Sequence, residues 1–98
     1  MNVWFLYLLE CTGGSIYTGI TTDVARRYAS HCAGKGARYT RAHPPLALLA
    51  HTAFPDRASA SREEYRVKQL SPAAKRAYAH ALSAAPASPL TPTDGADA

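Results

Sequence analysis

The chain has 98 residues, which bounds it to one domain with a modest core. Apolar residues make up 47% of it, an ordinary globular share, and no apolar run approaches the ~20 residues of a membrane-spanning helix. All eleven Lys and Arg fall between Arg26 and Arg76, while two of the seven acids, Asp94 and Asp97, lie near the C-terminus, so residues 1–82 set eleven positive charges against five negative; that balance points to a polyanion, nucleic acid first, over a merely solvated basic surface.

The opening MNVWFLYLLECTGG is apolar but has no basic n-region and no A-x-A-like cleavage site, so it reads as a core strand and not as a signal peptide. Without a secretory signal, Cys11 and Cys32 are expected to be reduced thiols of a cytoplasmic protein. Neither C-x-x-C nor H-x-x-x-H occurs, which argues against zinc. The near-continuous run VWFLYLL over 3–9 suits a central strand buried on both faces. Thr12-Gly13-Gly14-Ser15 is a turn signal, so residues 3–10 and 15–20 are expected to pair as an antiparallel hairpin. A helix follows over about 24–32, with Asp23 as N-cap and the glycines of Ala33-Gly34-Lys35-Gly36 ending it. Residues 34–45 read as a basic loop, LALLAHTA over 46–53 as a third strand, and 57–70 as a helix capped by Asp56. Ser71-Pro72 reads as an N-cap and first helical position, opening a last helix to about residue 82. From 83 to 98 the chain is rich in Pro and Ala with almost no large apolar side chain, and is expected to be a disordered tail. The fold class is therefore α/β: a small, mainly antiparallel three-stranded sheet flanked by helices, in the order β-β-α-β-α-α.

The most informative stretch is IYTGITTDVARRYASH, residues 16–31. It runs from a strand through Gly19, where the chain is expected to turn, into a helix on which Arg27 and His31 share a face. A phenol, a guanidinium and an imidazole are thereby gathered within a short span. With Tyr7 ten residues before Tyr17 and Arg27 ten after, this pattern resembles the GIY-YIG nuclease superfamily. Tyr17-Thr18-Gly19 is similar to the second half of the family signature, and Tyr7 to the tyrosine of the first. GKGARYTR over 34–41 and EYRVKQL over 64–70 resemble its small single-domain branch, and the resemblance extends over residues 3–80. It also links the chain to the GIY-YIG catalytic domain of the repair excinuclease and to GIY-YIG homing endonucleases. Two departures stand out: Phe5-Leu6 replaces the Gly-Ile of the first half, and Ile20 stands where several members have a lysine.

The resemblance implies a nuclease fold with Glu64 as ligand to Mg²⁺ or Mn²⁺, a hard ion for which one carboxylate, waters and substrate phosphate suffice. The residues alone also allow a bland reading, since Ser61-x-x-Glu64 is a capping-box pattern and Glu64 with Lys68 an ordinary i,i+4 pair. Glu63 points about 100° away and is expected to be solvated. Tyr17 is the implied general base, although a free phenol with a pKa of about 10 needs neighbouring cations to serve at neutral pH. Arg27 is the implied clamp on the scissile phosphate. Tyr7 would support the water or a phosphate oxygen, and His31 would take a proton from Tyr17 or donate to phosphate. Gly19 would keep the approach to the phosphate clear. Lys35, Arg38, Tyr39 and Arg41 combine cations with an aromatic, as backbone contact and base stacking require, and Lys68 is either an active-site neighbour or simply the partner of Glu64.

The expected function is metal-dependent hydrolysis of phosphodiesters in DNA, or in RNA, in a repair or processing role, with a targeting protein supplying specificity. Two rivals remain open: a non-catalytic nucleic-acid-binding module of the same fold, and an adaptor whose basic patch meets an acidic protein. Metal-dependent cleavage separates the first from the enzyme, and steep salt dependence of DNA binding separates the second.

Overall fold

Strand β1, Trp4–Cys11, carries apolar residues at every position from Phe5 to Leu9 and is buried on both faces: Leu6, Tyr7, Leu8 and Leu9 are all no more than 1% exposed. The computed structural model describes residues 3–84. Gly13 and Gly14 supply the positive φ angles, 86° and 85°, that turn the chain back after β1. The Cys11 amide closes this turn by donating to the Ser15 carbonyl at 2.9 Å. Strand β2, Ile16–Thr21, then pairs antiparallel with β1, placing Gly19 opposite Tyr7 and Tyr17 opposite Leu9. Strand β3, Pro45–Phe54, pairs antiparallel with the other edge of β1, so the sheet order is β2-β1-β3.

Alternation along β1 divides the interior in two. Leu6 and Leu8 face a core with Ile16, Ala50, Val67 and Ala79. Tyr7, Leu9 and Cys11 face a smaller cluster with Tyr17, Val24, Tyr28 and Leu48. Helix α1, Val24–Cys32, covers the Tyr7 face and is capped by Asp23, which accepts from the Arg26 amide at 3.1 Å. Helices α3, Arg57–Lys68, and α4, Pro72–Ala84, supply Val67 and Ala79 to the Leu6 face. Asp56 accepts from the Ser59 amide at 2.8 Å to cap α3, and Ser71 accepts from the Ala74 amide at 3.1 Å to start α4. At roughly 1.5–3 kcal/mol per fully buried large aliphatic side chain, the Leu6 face holds most of the apolar stabilisation and the Tyr7 face is free to carry polar groups.

Three details differ from the sequence expectations. The segment read as a loop contains a short helix, α2, Arg38–Ala42. It is a single turn and too short for any hydrophobic period to reveal. Helix α3 ends at Lys68, two residues early, and α4 continues to Ala84, while the rest of the expected disordered tail lies outside the described residues. Glu63 is only partly solvated and is not a free surface carboxylate: its side chain is 22% exposed and accepts from the Tyr78 hydroxyl at 2.7 Å and from Arg66, tying α3 to α4. No helix among the described residues is long and apolar enough to cross a membrane.

Candidate active site

Tyr7 projects from the middle of the central strand toward α1, where its hydroxyl lies 2.8 Å from His31 Nε2. His31 stands in the last turn of α1 and is 1% exposed. Its other nitrogen, Nδ1, lies 2.6 Å from the hydroxyl oxygen of Thr40, on α2. The Thr40 hydroxyl proton is committed to the Ala37 carbonyl at 2.9 Å, so toward His31 the oxygen accepts. Nδ1 therefore carries the imidazole proton, Nε2 is bare, and the Tyr7 hydroxyl donates to it. Each step of this chain of donors fixes the next, and the end product is one tautomer of one buried histidine.

The electrostatics agree with that arrangement. Burial, and after it the nearby Arg27 cation, hold the His31 pKa below its ordinary value, so the ring stays neutral and keeps its acceptor. Burial also pushes the Tyr7 phenol up to about 12, with Tyr17 adding to the rise, the Arg27 guanidinium opposing it and the Glu64 carboxylate adding last. Two glycines make room for the pair. A Cβ at Gly19 would stand 2.6 Å from the Tyr7 hydroxyl oxygen and 2.7 Å from Cζ, and one at Gly36 would overlap His31 Nδ1 and reach 2.8 Å from Cε1 and Cγ.

Around this buried pair lie the more accessible groups. Tyr17, the second residue of β2, is partly exposed; its ring centroid is 5.1 Å from that of His31 and 6.3 Å from that of Tyr7. Its outer side meets Tyr39, with centroids 6.1 Å apart and planes within 19°. Arg27 is half-buried on α1, one turn before His31, while Arg26 is exposed. A polar cavity of about 280 Å³ beside Arg27 is lined by Thr21, Thr22, Asp23, Arg26 and Ser30. Glu64 reaches this region from α3; its side chain is 22% exposed, and Oε2 lies 3.2 Å from Lys68 Nζ.

The fold thus brings together Tyr7, Tyr17, Arg27 and His31 on one face, with Glu64 close enough for its charge to act on Tyr7. Lys35, Arg38 and Arg41 sit on the α1–α2 segment, Tyr39 is 39% exposed beside Tyr17, and Lys68 is bound to Glu64 in the i,i+4 geometry that the sequence also allowed. Three placements differ from expectation. His31 bonds to Tyr7 and not to Tyr17, and with both nitrogens engaged and the ring buried it has no donor to offer a phosphate. The chain does not turn at Gly19, which is extended within β2; the crowding there comes from the Tyr7 ring. Thr40 and Gly36 seat His31, and sequence reasoning did not single them out. Their segment reads as basic and exposed, and the only signal for them was a small hydroxyl residue set among larger side chains.

Among the described residues no three of His, Cys, Asp or Glu gather around a common point, so no cage made wholly of protein ligands exists there. A lone, partly exposed carboxylate nevertheless suits a hard divalent ion that keeps most of its waters. Glu64 fits that role once Lys68 yields its place. Cys11 is buried and Cys32 exposed, both as free thiols.

The family model of the GIY-YIG catalytic domain matches residues 3–78, which takes in all of these side chains. The chain belongs to the GIY-YIG family. This is a family of nuclease type. Within it, the chain is 61% identical over 75 residues to a UPF0213 protein of Cupriavidus pinatubonensis, covering 76% of this chain and 83% of the relative. It is 57% identical over 70 residues to a UPF0213 protein of Yersinia enterocolitica, covering 71% and 72%. The solution NMR structure of a UPF0213 protein from Bacillus halodurans, 49% identical, superposes with a TM-score of 0.50 over 80% of this chain and 83% of that one. The GIY-YIG sheet and its flanking helices are therefore common to this chain and to that relative, whereas the UPF0213 names specify no activity.

Proposed function

We propose that this GIY-YIG domain is a divalent-metal-dependent endonuclease that hydrolyses phosphodiester bonds in DNA. The observation that carries the reading is the convergence of Tyr7, Tyr17, Arg27 and His31 from β1, β2 and α1 onto one face, beside the lone carboxylate of Glu64. Arg27 binds the phosphate to be cut, since its planar fork and permanent charge match two phosphoryl oxygens. A Mg²⁺ or Mn²⁺ ion on Glu64 would supply Lewis-acid polarisation of the phosphate and a lowered pKa for bound water. Tyr7, its hydroxyl donating to His31 and its pKa raised to about 12, stays neutral and acts as a fixed positioning group. That leaves Tyr17, the more exposed phenol, to orient the attacking water and, as the phenolate formed when its own proton passes to solvent, to take the proton of that water. The water oxygen forms a bond to phosphorus, the bond to the leaving sugar oxygen breaks, and that oxygen is protonated from solvent; no covalent enzyme intermediate forms.

Purified protein is incubated with labelled single-stranded, duplex and branched DNA, and with RNA, in Mg²⁺, Mn²⁺ or EDTA, alongside Glu64→Ala. Cleavage that requires the ion and is lost in the variant supports the enzyme. The second reading, a binding module, is favoured by the Glu64–Lys68 ion pair and by Ile20 in place of a lysine; binding to every substrate without cleavage would establish it. Cytoplasmic location and reliance on a targeting protein belong to the same proposal.

A further inference from the structure

A cavity of about 380 Å³ lies on the outer side of Tyr17, between the start of β2 and the junction of α3 with α4. Its walls include Tyr17, Tyr39, Lys68, Lys75, Pro72 and Thr18, and no acidic side chain is among the described residues that line it. Lys75 is half-buried and has no ion-pair partner among the described residues. Because Pro72 is the first residue of the thirteen-residue helix α4, the positive end of that helix dipole opens onto the same space. Thr18 is 2% exposed, and its hydroxyl, like that of neighbouring Ser15, is buried with no hydrogen-bond partner among the described residues. Unpaired buried hydroxyls cost free energy, and both can donate to an anion. The aromatic wall is Tyr39, 39% exposed and parallel to Tyr17 within 19°.

We infer that this cavity is a subsite for one unpaired nucleotide flanking the cut phosphodiester, its phosphate held by Lys75, Lys68 and the start of α4 and its base laid against Tyr39. The inference rests on the nuclease reading and adds to it the strandedness of the substrate. Cations, uncommitted hydroxyls and a helix N-terminus are the recognition set of a phosphate, and an exposed aromatic ring is that of a base face. The volume lies within the range of small-ligand clefts and has no room for a base pair. In a duplex, moreover, both faces of each base are already covered by neighbours. Tyr17 is shared between this cavity and the catalytic face, which sets the nucleotide next to the scissile bond. Lys68 is shared as well: an ion that takes Glu64 releases the lysine toward the cavity.

The test is a binding titration of the full chain in EDTA, so that cleavage plays no part, with oligodeoxyuridylate, oligouridylate and a blunt DNA duplex, read by backbone amide shifts. Single strands are expected to shift the amides of Tyr39 and Lys75, and the duplex to leave them in place. Tyr39→Ala should weaken single-strand binding about tenfold, Tyr39→Phe hardly at all, and Lys75→Ala several-fold, with duplex affinity unchanged. The ratio between the two oligonucleotides assigns the sugar. Equal weakening of single strand and duplex, or a duplex that shifts Tyr39 as strongly, would overturn the subsite. Metal-dependent cleavage with no dependence on Tyr39 or Lys75 would remove the subsite and keep the nuclease; the expected binding pattern without cleavage would do the reverse.

Discussion

A phenol raised to about 12 by burial is a poor base and a dependable donor, and at Tyr7 the donation has one recipient. Tyr7→Phe leaves His31 Nε2 buried and unpaired, an expected loss of about 1–3 kcal/mol, visible as a lower urea midpoint at unchanged m. Thr40→Val removes the acceptor that holds the proton on Nδ1. Imidazole ¹⁵N shifts, recorded well above the ordinary histidine pKa, should show the Nδ1-protonated form in the native protein and a mixture in the variant. The pH dependence follows from the sign of the His31 shift. Its folded pKa is depressed, so the unfolded chain binds the proton first. Stability is then full above the unfolded value of about 6.5 and declines as pH falls from there toward the folded pKa. His31→Gln should lack that limb, and the depressed carboxylates Asp56 and Glu63 act only at lower pH, near their own range. At this scale the sequence was partly legible. Tyr7, Tyr17, Arg27 and His31 were readable because each stands at a recognisable spacing around the signature, but which tyrosine His31 serves depends on Gly36 and Thr40, and no spacing rule reports a hydrogen bond between a helix end and a single-turn helix.

Between elements, the polar tie of Glu63 to Tyr78 and Arg66 holds α3 against α4. The two contacts differ in value. Arg66 is 57% exposed, so its ion pair is screened by solvent, whereas the Tyr78 hydroxyl is partly buried and its bond worth about 0.5–1.5 kcal/mol. Tyr78→Phe is therefore expected to lower the urea midpoint more than Arg66→Ala does. Elements were the most readable level of this chain, because each begins or ends on local punctuation: Gly13-Gly14 between β1 and β2, Asp23, Asp56 and Ser71 at three helix starts. Helix α2 has no such mark. Its N-cap residue is Ala37, whose side chain accepts no hydrogen bond, and the Thr40 hydroxyl, donating to the Ala37 carbonyl, ties the single turn together without capping its amides.

For the whole molecule, the excess of basic residues predicts a definite salt dependence. Contact with three to five phosphates of a single strand should give a slope of roughly −2 to −3.5 for log K against log salt, at about −0.7 per phosphate. A slope near zero, with affinity for an acidic protein instead, would return the adaptor reading to the front. One property of the sheet bears on how such a protein is made. The central strand sends Leu6 and Leu8 one way and Tyr7 the other, and the remaining site residues come from β2, α1 and α3, as far along as Glu64. A slip of one residue in β1 would exchange phenol for leucine on the catalytic face. Under the proposed reaction, a nascent chain on the ribosome is inert until Glu64 has emerged and the sheet has found its register, and a proteolytic stub cut short of α3 lacks the metal ligand. On that reading, activity would appear only with the finished fold.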